Sequence, residues 1–257
     1  MRAFAATMRI QMLNSLSRPM FRFTLFANPV LFTLITYFMF QHSGMQDFAS
    51  YVILGSSFLS LWSSIVFSSA GDIDRERYMG TLSMLYASPA SFQKIVWAKL
   101  TGNLMLALLP YLSSFLIVRF LFQEPVVLPH IALFLAAFLF SMASFAALSY
   151  LFSAFFTLSR KASILMNCLE YPVFLLCGML FPIQLLPIYL QPLSAVLSPT
   201  WAGRLLHLAL DREIAASQFI QCLAILLVLT LLYILLGRIM FFFVDIHVRK
   251  KGTLGVM

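Results

Sequence analysis

The chain has 257 residues, of which 61% are hydrophobic, 15% aromatic and only 10% charged, with a formal net charge of +8. Soluble domains are about half apolar and about a quarter charged, so this balance excludes an ordinary soluble protein and predicts one all-α integral membrane domain over residues 1–257. The excess of Lys and Arg calls for no nucleic acid, because membrane topology and attraction to anionic lipid heads account for it.

Residues 1–20 come first. Phe4, Met8, Met12 and Leu16 recur every four residues, while Thr7, Gln11, Asn14 and Arg18 point elsewhere. That spacing predicts an interfacial helix lying on the inner leaflet, and the stretch is too polar for the core of a signal peptide. Crossing the hydrocarbon takes about 20 apolar residues. Residues 21–40, 51–70, 100–122, 129–157, 162–181 and 219–244 meet that need, which gives six transmembrane helices. The second carries Ser56, Ser60, Ser63, Ser64 and Ser68 largely on one face beside Gly55. Small hydroxylated residues of this kind allow close helix packing in lipid, or line a translocation path.

Residues 72–89 read DIDRERYMGTLSMLYASP, a charged cluster followed by an amphipathic run. Tyr78, Leu82, Leu85 and Pro89 predict an apolar edge on one short helix ending at Ser88 and Pro89, with Gly80 marking a break or a close backbone approach. Ser91 is then placed to cap a helix carrying Lys94 and Lys99 into the third span. Asp72 and Asp74 have the spacing of a magnesium-binding pair, but no second acidic cluster accompanies them, and a helix-capping role suits one of them better. The whole stretch suits docking into a groove of a partner, or is a solvated loop.

Glu170 falls deep in the fifth span, next to Pro172. A charge there is costly, so the residue should face the protein interior, touching cargo or an opposing chain, or hydrogen-bonding between helices. Cys168, Cys177 and Cys222 lack metal-ligand spacing and read as small hydrophobes. Between residues 182 and 201 the chain is nearly as apolar as a span, yet Pro182, Pro187, Pro192 and Pro199 interrupt it. Such a segment predicts short re-entrant helices shielded by protein on the outer side. Motifs of the GxxxxGK[ST], HExxH and GxSxG types are absent from the sequence, so neither ATP binding by a phosphate loop nor these hydrolytic chemistries is expected.

Basic residues set the sidedness. Arg2, Arg9, Arg18, Arg22, Arg75, Arg77, Lys94, Lys99, Arg160, Lys161, Arg249, Lys250 and Lys251 fall on one side of the six-span scheme; Arg204 and Arg212 fall on the other, and Arg119 and Arg238 lie near helix ends. Both termini are therefore expected in the cytoplasm.

The run DRERYMGTLSMLYASP resembles the loop between the second and third spans of type-2 ATP-binding cassette (ABC-2) permeases. Its matching positions are Arg75, Glu76, Gly80, Thr81, Leu82, Leu85, Ser88 and Pro89. A second resemblance covers GMLFPIQLLP, residues 178–187, with LSPTW at 197–201, where that family has an outer gate. Ser83 departs from the acidic residue that many members carry after Gly-Thr-Leu. The resemblance implies a coupling helix over residues 72–90, including Asp72 and Asp74, that docks on a separate ATPase subunit. It also implies an outer gate at Gly178, Pro182, Pro187 and Pro199, and a second permease chain, identical or related. Glu170, Ser56, Ser60 and Ser64 are then candidates for a translocation path or an interface. The chain would be no enzyme itself, with ATP and magnesium held by the partner. It would export an amphipathic or lipid-like cargo, such as a drug, across a bacterial cytoplasmic membrane. The alternative is a secondary transporter or channel, which normally needs more intramembrane acids and bases than Glu170 alone.

Overall fold

The computed structural model describes residues 2–40, 48–88, 90–123, 129–158, 162–178, 183, 186–211 and 215–251. Among these residues the structure is helical, without a strand. The chain starts with α1 (Arg2–Leu16), and α2 (Pro19–Arg22) follows. Pro19 suits the first turn because it has no N–H to leave unpaired, and Arg18 before it is extended. A π-helical stretch, Phe23–Ala27, leads without a gap into α3 (Asn28–Phe40). Next come α4 (Phe48–Tyr78), α5 (Leu82–Ala87), α6 (Phe92–Leu106) and α7 (Leu109–Leu116), with a second π-helical stretch at Ile117–Leu121. The remaining helices are α8 (Ile131–Leu158), α9 (Ala162–Leu176), α10 (Gln191–Val196), α11 (Ser198–Leu210) and α12 (Ala216–Lys251).

Among the described residues four helical runs are long and apolar enough to cross a membrane: Pro19–Met39, Phe92–Leu121, Ile131–Leu158 and Ala216–Ile246. They coincide with the first, third, fourth and sixth expected spans. The second lies in α4, whose apolar stretch is Val52–Ile65. The fifth lies in α9, where 15 helical residues cover about 22 Å, less than the hydrocarbon thickness.

The main core is built where α4, α8, α11 and α12 meet. Trp62, Phe145, Phe156, Leu205, Leu206 and Leu226 are fully buried there. A second cluster, around Leu82, Phe92, Tyr150 and Phe241, joins α5, α6, α8 and α12.

The structure corrects several expectations. The second helix does not stop near residue 70; it continues as α4 to Tyr78, so the charged cluster is an extension of that helix. Asp72 therefore lies inside a helix and caps nothing. Ser91 is the residue before α6, but its hydroxyl makes no capping bond; its carbonyl accepts from the N–H of Lys94 instead. In the outer segment the prolines at 192 and 199 fall where separate helices begin, and each sits in the opening turn, Pro192 in that of α10 and Pro199 in that of α11. As a result α11 runs on to Leu210, burying Ala202, Leu205, Leu206 and Ala209 against α8 and α12.

The first helix also differs from expectation. Its most buried residues are polar, Gln11 and Ser15, and they face α6. Met12 and Leu16 pack at the edge of a cluster formed by Phe21, Leu25 and Leu106, while Phe4, Ile10 and Leu13 are exposed. The backbones of α1 and α6 come close enough that a Cβ on Gly102 would lie 2.8 Å from the carbonyl oxygen of Met8.

Candidate coupling site

The polar end of α4 is braced by three other helices. Asp72 accepts from the Arg18 guanidinium at 2.5 Å, and from the side-chain amides of Gln11 at 2.8 Å and Asn103 at 2.9 Å. Ser15 completes this network by donating to Asn103 Oδ1 at 2.6 Å. One turn later Glu76 is paired with Lys99 of α6 and also accepts from the Thr81 hydroxyl. Arg77 donates to the carbonyl oxygen of Thr157 at 2.9 Å, the end of α8. Burial is the largest influence on Glu76 and pushes its carboxyl upward. The hydrogen bonds from Lys99 and Thr81, with the charges of Lys99 and Arg75, outweigh it and hold the carboxyl below its ordinary value.

Gly80 ends this arm. The N–H of Gly80 bonds to the carbonyl of Arg77 at 3.1 Å and the N–H of Thr81 to that of Glu76 at 3.0 Å, the paired bonds of a Schellman stop. Gly80 has φ +69°, a conformation that a residue with a Cβ adopts only under strain. The chain turns there and re-enters as α5, whose Leu82 is 1% exposed among Phe92, Val96, Leu100 and Phe241. Leu85 is half-buried beside it. Of the two readings of Gly80, the structure has the break: Tyr78 ends α4, Leu82 and Leu85 belong to α5, and these leucines face inward, not outward as an apolar edge. What faces outward is Tyr78, 94% exposed, with Met79 and Met84 at 58% and 72%. A small cleft of about 30 Å³ lies behind α5, lined by Ile73, Leu85, Phe92, Ile95 and Lys99 among others. Pro89 and the side chain of Asp74 lie outside the described residues.

The structure thus brings together Asp72, Arg75, Glu76, Gly80, Thr81, Leu82 and Leu85, but reverses the expected roles of charge and apolar edge. The sequence reading missed the partners Gln11, Ser15, Arg18, Lys99 and Asn103, and the exposed Met79 and Met84. A usable signal was present: Gln11 and Ser15 are one turn apart, and Asn103 is an isolated amide in an apolar helix.

A family model described as ABC-2 type transporter matches residues 2–210. The chain belongs to that family. Comparison with curated proteins finds no match. The match takes in α1 to α11, including the braced arm, Gly80 and α5, and makes this chain an ABC-2 type permease.

In the ABC-2 permease, Glu170 is buried on α9 and accepts a hydrogen bond from Ser63 of α4 at 2.7 Å. Its contact within this chain is therefore between helices. Ser60 and Ser64 donate to carbonyls of their own helix, while Ser56 also lies 3.1 Å from Ser114 of α7. All three serines are buried inside the subunit. The side chain of Ser68 lies outside the described residues.

Around the expected outer gate, Gly178 follows α9 at φ +68°. Pro187 precedes α10, Pro199 opens α11, and Pro182 lies outside the described residues. The junction of α10 and α11 is clasped by Tyr233 of α12. Its hydroxyl donates to the Val196 carbonyl at 2.7 Å and accepts from the Ser198 N–H at 3.2 Å. Trp201 Nε1 donates to the Ala195 carbonyl at 2.8 Å, and Arg204 lies 5.1 Å from the Trp201 ring.

Proposed function

We propose that this permease is the membrane subunit of an ATP-driven exporter. It works as a pair with an identical or related permease, and each chain docks on a separate ATPase through Tyr78, Met79 and Met84. In this reading six helices cross the cytoplasmic membrane, with α4 and α9 as the second and fifth and both termini inside. The observation that carries the docking is the exposed apolar tip on a braced arm. Tyr78, Met79 and Met84 stand free around the Gly80 turn, while the carboxylates beneath them are already satisfied by Arg18 and Lys99. Exposed methionines adapt to an apolar groove, and a phenol offers both ring area and a hydrogen bond.

Mechanically, a push on the tip reaches three helices at once. Asp72 carries it to α1, Glu76 to α6 and Arg77 to α8. ATP-driven closure of the partner ATPases then shifts the permease pair between inward-facing and outward-facing arrangements. The largely apolar walls favour an amphipathic or lipid-like cargo, such as a drug, peptide or lipid-linked sugar.

The test is affinity purification of the tagged chain from its native membrane, followed by mass spectrometry. A phosphate-loop ATPase should co-purify in near-stoichiometric amount, and Met79→Glu combined with Met84→Glu should remove it without lowering the yield of the permease. A permease that purifies without any ATPase under several mild detergents would overturn the reading and favour transport driven by an ion gradient.

A further inference from the structure

Asn103 is an amide within an apolar helix, and its donors are only half used. Its Oδ1 accepts from Ser15 at 2.6 Å and from Gln11 at 3.3 Å. One N–H of Nδ2 goes to Asp72 at 2.9 Å, and the second has no acceptor among the described residues. A primary amide carries two N–H groups, and leaving one bare inside a protein is unfavourable. Asn103 is 4% exposed, so bulk solvent does not supply the missing acceptor.

The amide lines an internal cavity. A space of about 10 Å³ lies between α4, α6 and α8, walled by Ser64, Ile65, Leu100, Asn103 and Ser149 among others. These five residues are all buried. A space of this size is about the least that holds one water molecule, and an organic ligand does not fit it. Cavities with wholly apolar walls stay dry, but this one has a polar side chain on each of its three helices: Ser64 on α4, Asn103 on α6 and Ser149 on α8. Ser64 donates to the Ser60 carbonyl at 2.9 Å, and its oxygen keeps lone pairs that accept. The cleft of about 30 Å³ behind α5 shares the Leu100 wall and adds Asp72, Lys99 and Ser153. Ser153 is one turn from Ser149 on α8, and Asp72 is bonded to Asn103, so polar groups continue from one space to the other around Leu100.

We infer that a resident water molecule is bound between α4, α6 and α8, accepting from the second N–H of Asn103 and donating to the hydroxyl oxygens of Ser64 and Ser149. Two to four polar partners is what an ordered internal water needs, and here it has three. The cleft behind α5, bordered by the half-buried Glu76 and Lys99, is its way in from solvent. The direct hydrogen bonds of Asp72 reach Gln11, Arg18 and Asn103; the water carries the same network on to α8 through Ser149. A bridging water is nearly as favourable in enthalpy as a direct bond. It therefore ties α8 to the arm at a second point, beside the bond from Arg77 to the Thr157 carbonyl. This binding site belongs to the chain itself and stands whether or not an ATPase docks.

The test is hydroxyl-radical footprinting of the full chain in nanodiscs, with X-ray pulses that make radicals from water where it lies, and mass spectrometry of the oxidised side chains. Ile65 is 3% exposed and lines the cavity; Leu61, one turn earlier on α4, is fully buried and does not; Ile10, 57% exposed, reports bulk solvent. Ile10 and Ile65 should be oxidised and Leu61 should not. Ser64→Val replaces the acceptor with methyl groups and fills the space, and the label on Ile65 should be lost while that on Ile10 stays. Ile65 as clean as Leu61 beside an oxidised Ile10 would mean a dry cavity and overturn the site. Equal oxidation of Ile65 and Leu61 would overturn it too, as general wetting of the bundle, and so would full label on Ile65 in Ser64→Val. If Ser64→Val does not fold, the comparison of Ile65 with Leu61 in the wild-type chain decides.

Discussion

Asp72 shows how one carboxylate can organise a region. Its two oxygens accept from Gln11 of α1, Asn103 of α6 and Arg18 of the link between α1 and α2, and it is only 12% exposed. Asp72→Ala leaves the Arg18 cation without its counter-charge and two amides without their acceptor, at a cost of about 2 kcal/mol. The loss should appear as a lower apparent melting temperature in detergent. Adding Arg18→Ala removes the stranded charge, so the double variant should be less destabilised than the two single effects added together. Strict additivity would mean that the pair is not coupled. Glu170 is a quieter case of the same chemistry, since one hydroxyl, that of Ser63, reaches it from the neighbouring helix.

At the scale of elements, the decisive unit is α4 with its arm, its stop at Gly80 and the short α5 folded beneath it. Glu76 ties this unit to α6, and its carboxyl is held below the ordinary 4.5 in the folded chain. A folded-state value below the unfolded one means that the stabilisation is complete above the unfolded value. It is lost as pH falls through the lower folded one. Wild type should therefore melt higher than Glu76→Gln at neutral pH, with the gap closing as pH drops below 4.5. A gap that stays constant down to low pH would exclude the ion pair as its source.

The same unit marks the boundary of what the sequence made legible. Apolar runs gave the long helices and their order because hydrocarbon length imposes a simple count. Gly80 was recognisable as a break, since glycine in the left-handed region is the usual way to end a helix. The direction of the side chains after the break was not legible. Leu82 turns inward because α6, α8 and α12 supply Phe92, Tyr150 and Phe241 from distant parts of the chain, and local periodicity holds no record of them. The prolines at 192 and 199 announced that no single helix runs through, but not which helix each would open: the same ring that breaks a helix interior is favourable in a first turn.

For the whole molecule, the distribution of Lys and Arg predicts that the coupling segment faces the cytoplasm and that the α10 region faces outward. Met84 and Ile188, exposed by 72% and 81%, are suitable reporters. In a cysteine-free background, Met84→Cys should react with an impermeant maleimide only in inverted vesicles, and Ile188→Cys only in intact cells. The opposite labelling would reverse the topology and remove the coupling segment from the reach of a cytoplasmic ATPase.

The last helix has a further meaning for how the protein is made. α12 packs along α8 and α11, its Phe241 closes on Tyr150, and its Tyr233 holds the α10–α11 junction. During synthesis the groove on α8 therefore stays open until residues 216–251 have left the ribosome, although α8 itself ends at Leu158. Until then the chain is a half-closed bundle whose aromatic interior is available to lipid, chaperones or proteases. α12 acts as a late seal, and a nascent chain that stalls before it is distinguishable, by that open groove, from one that contains it.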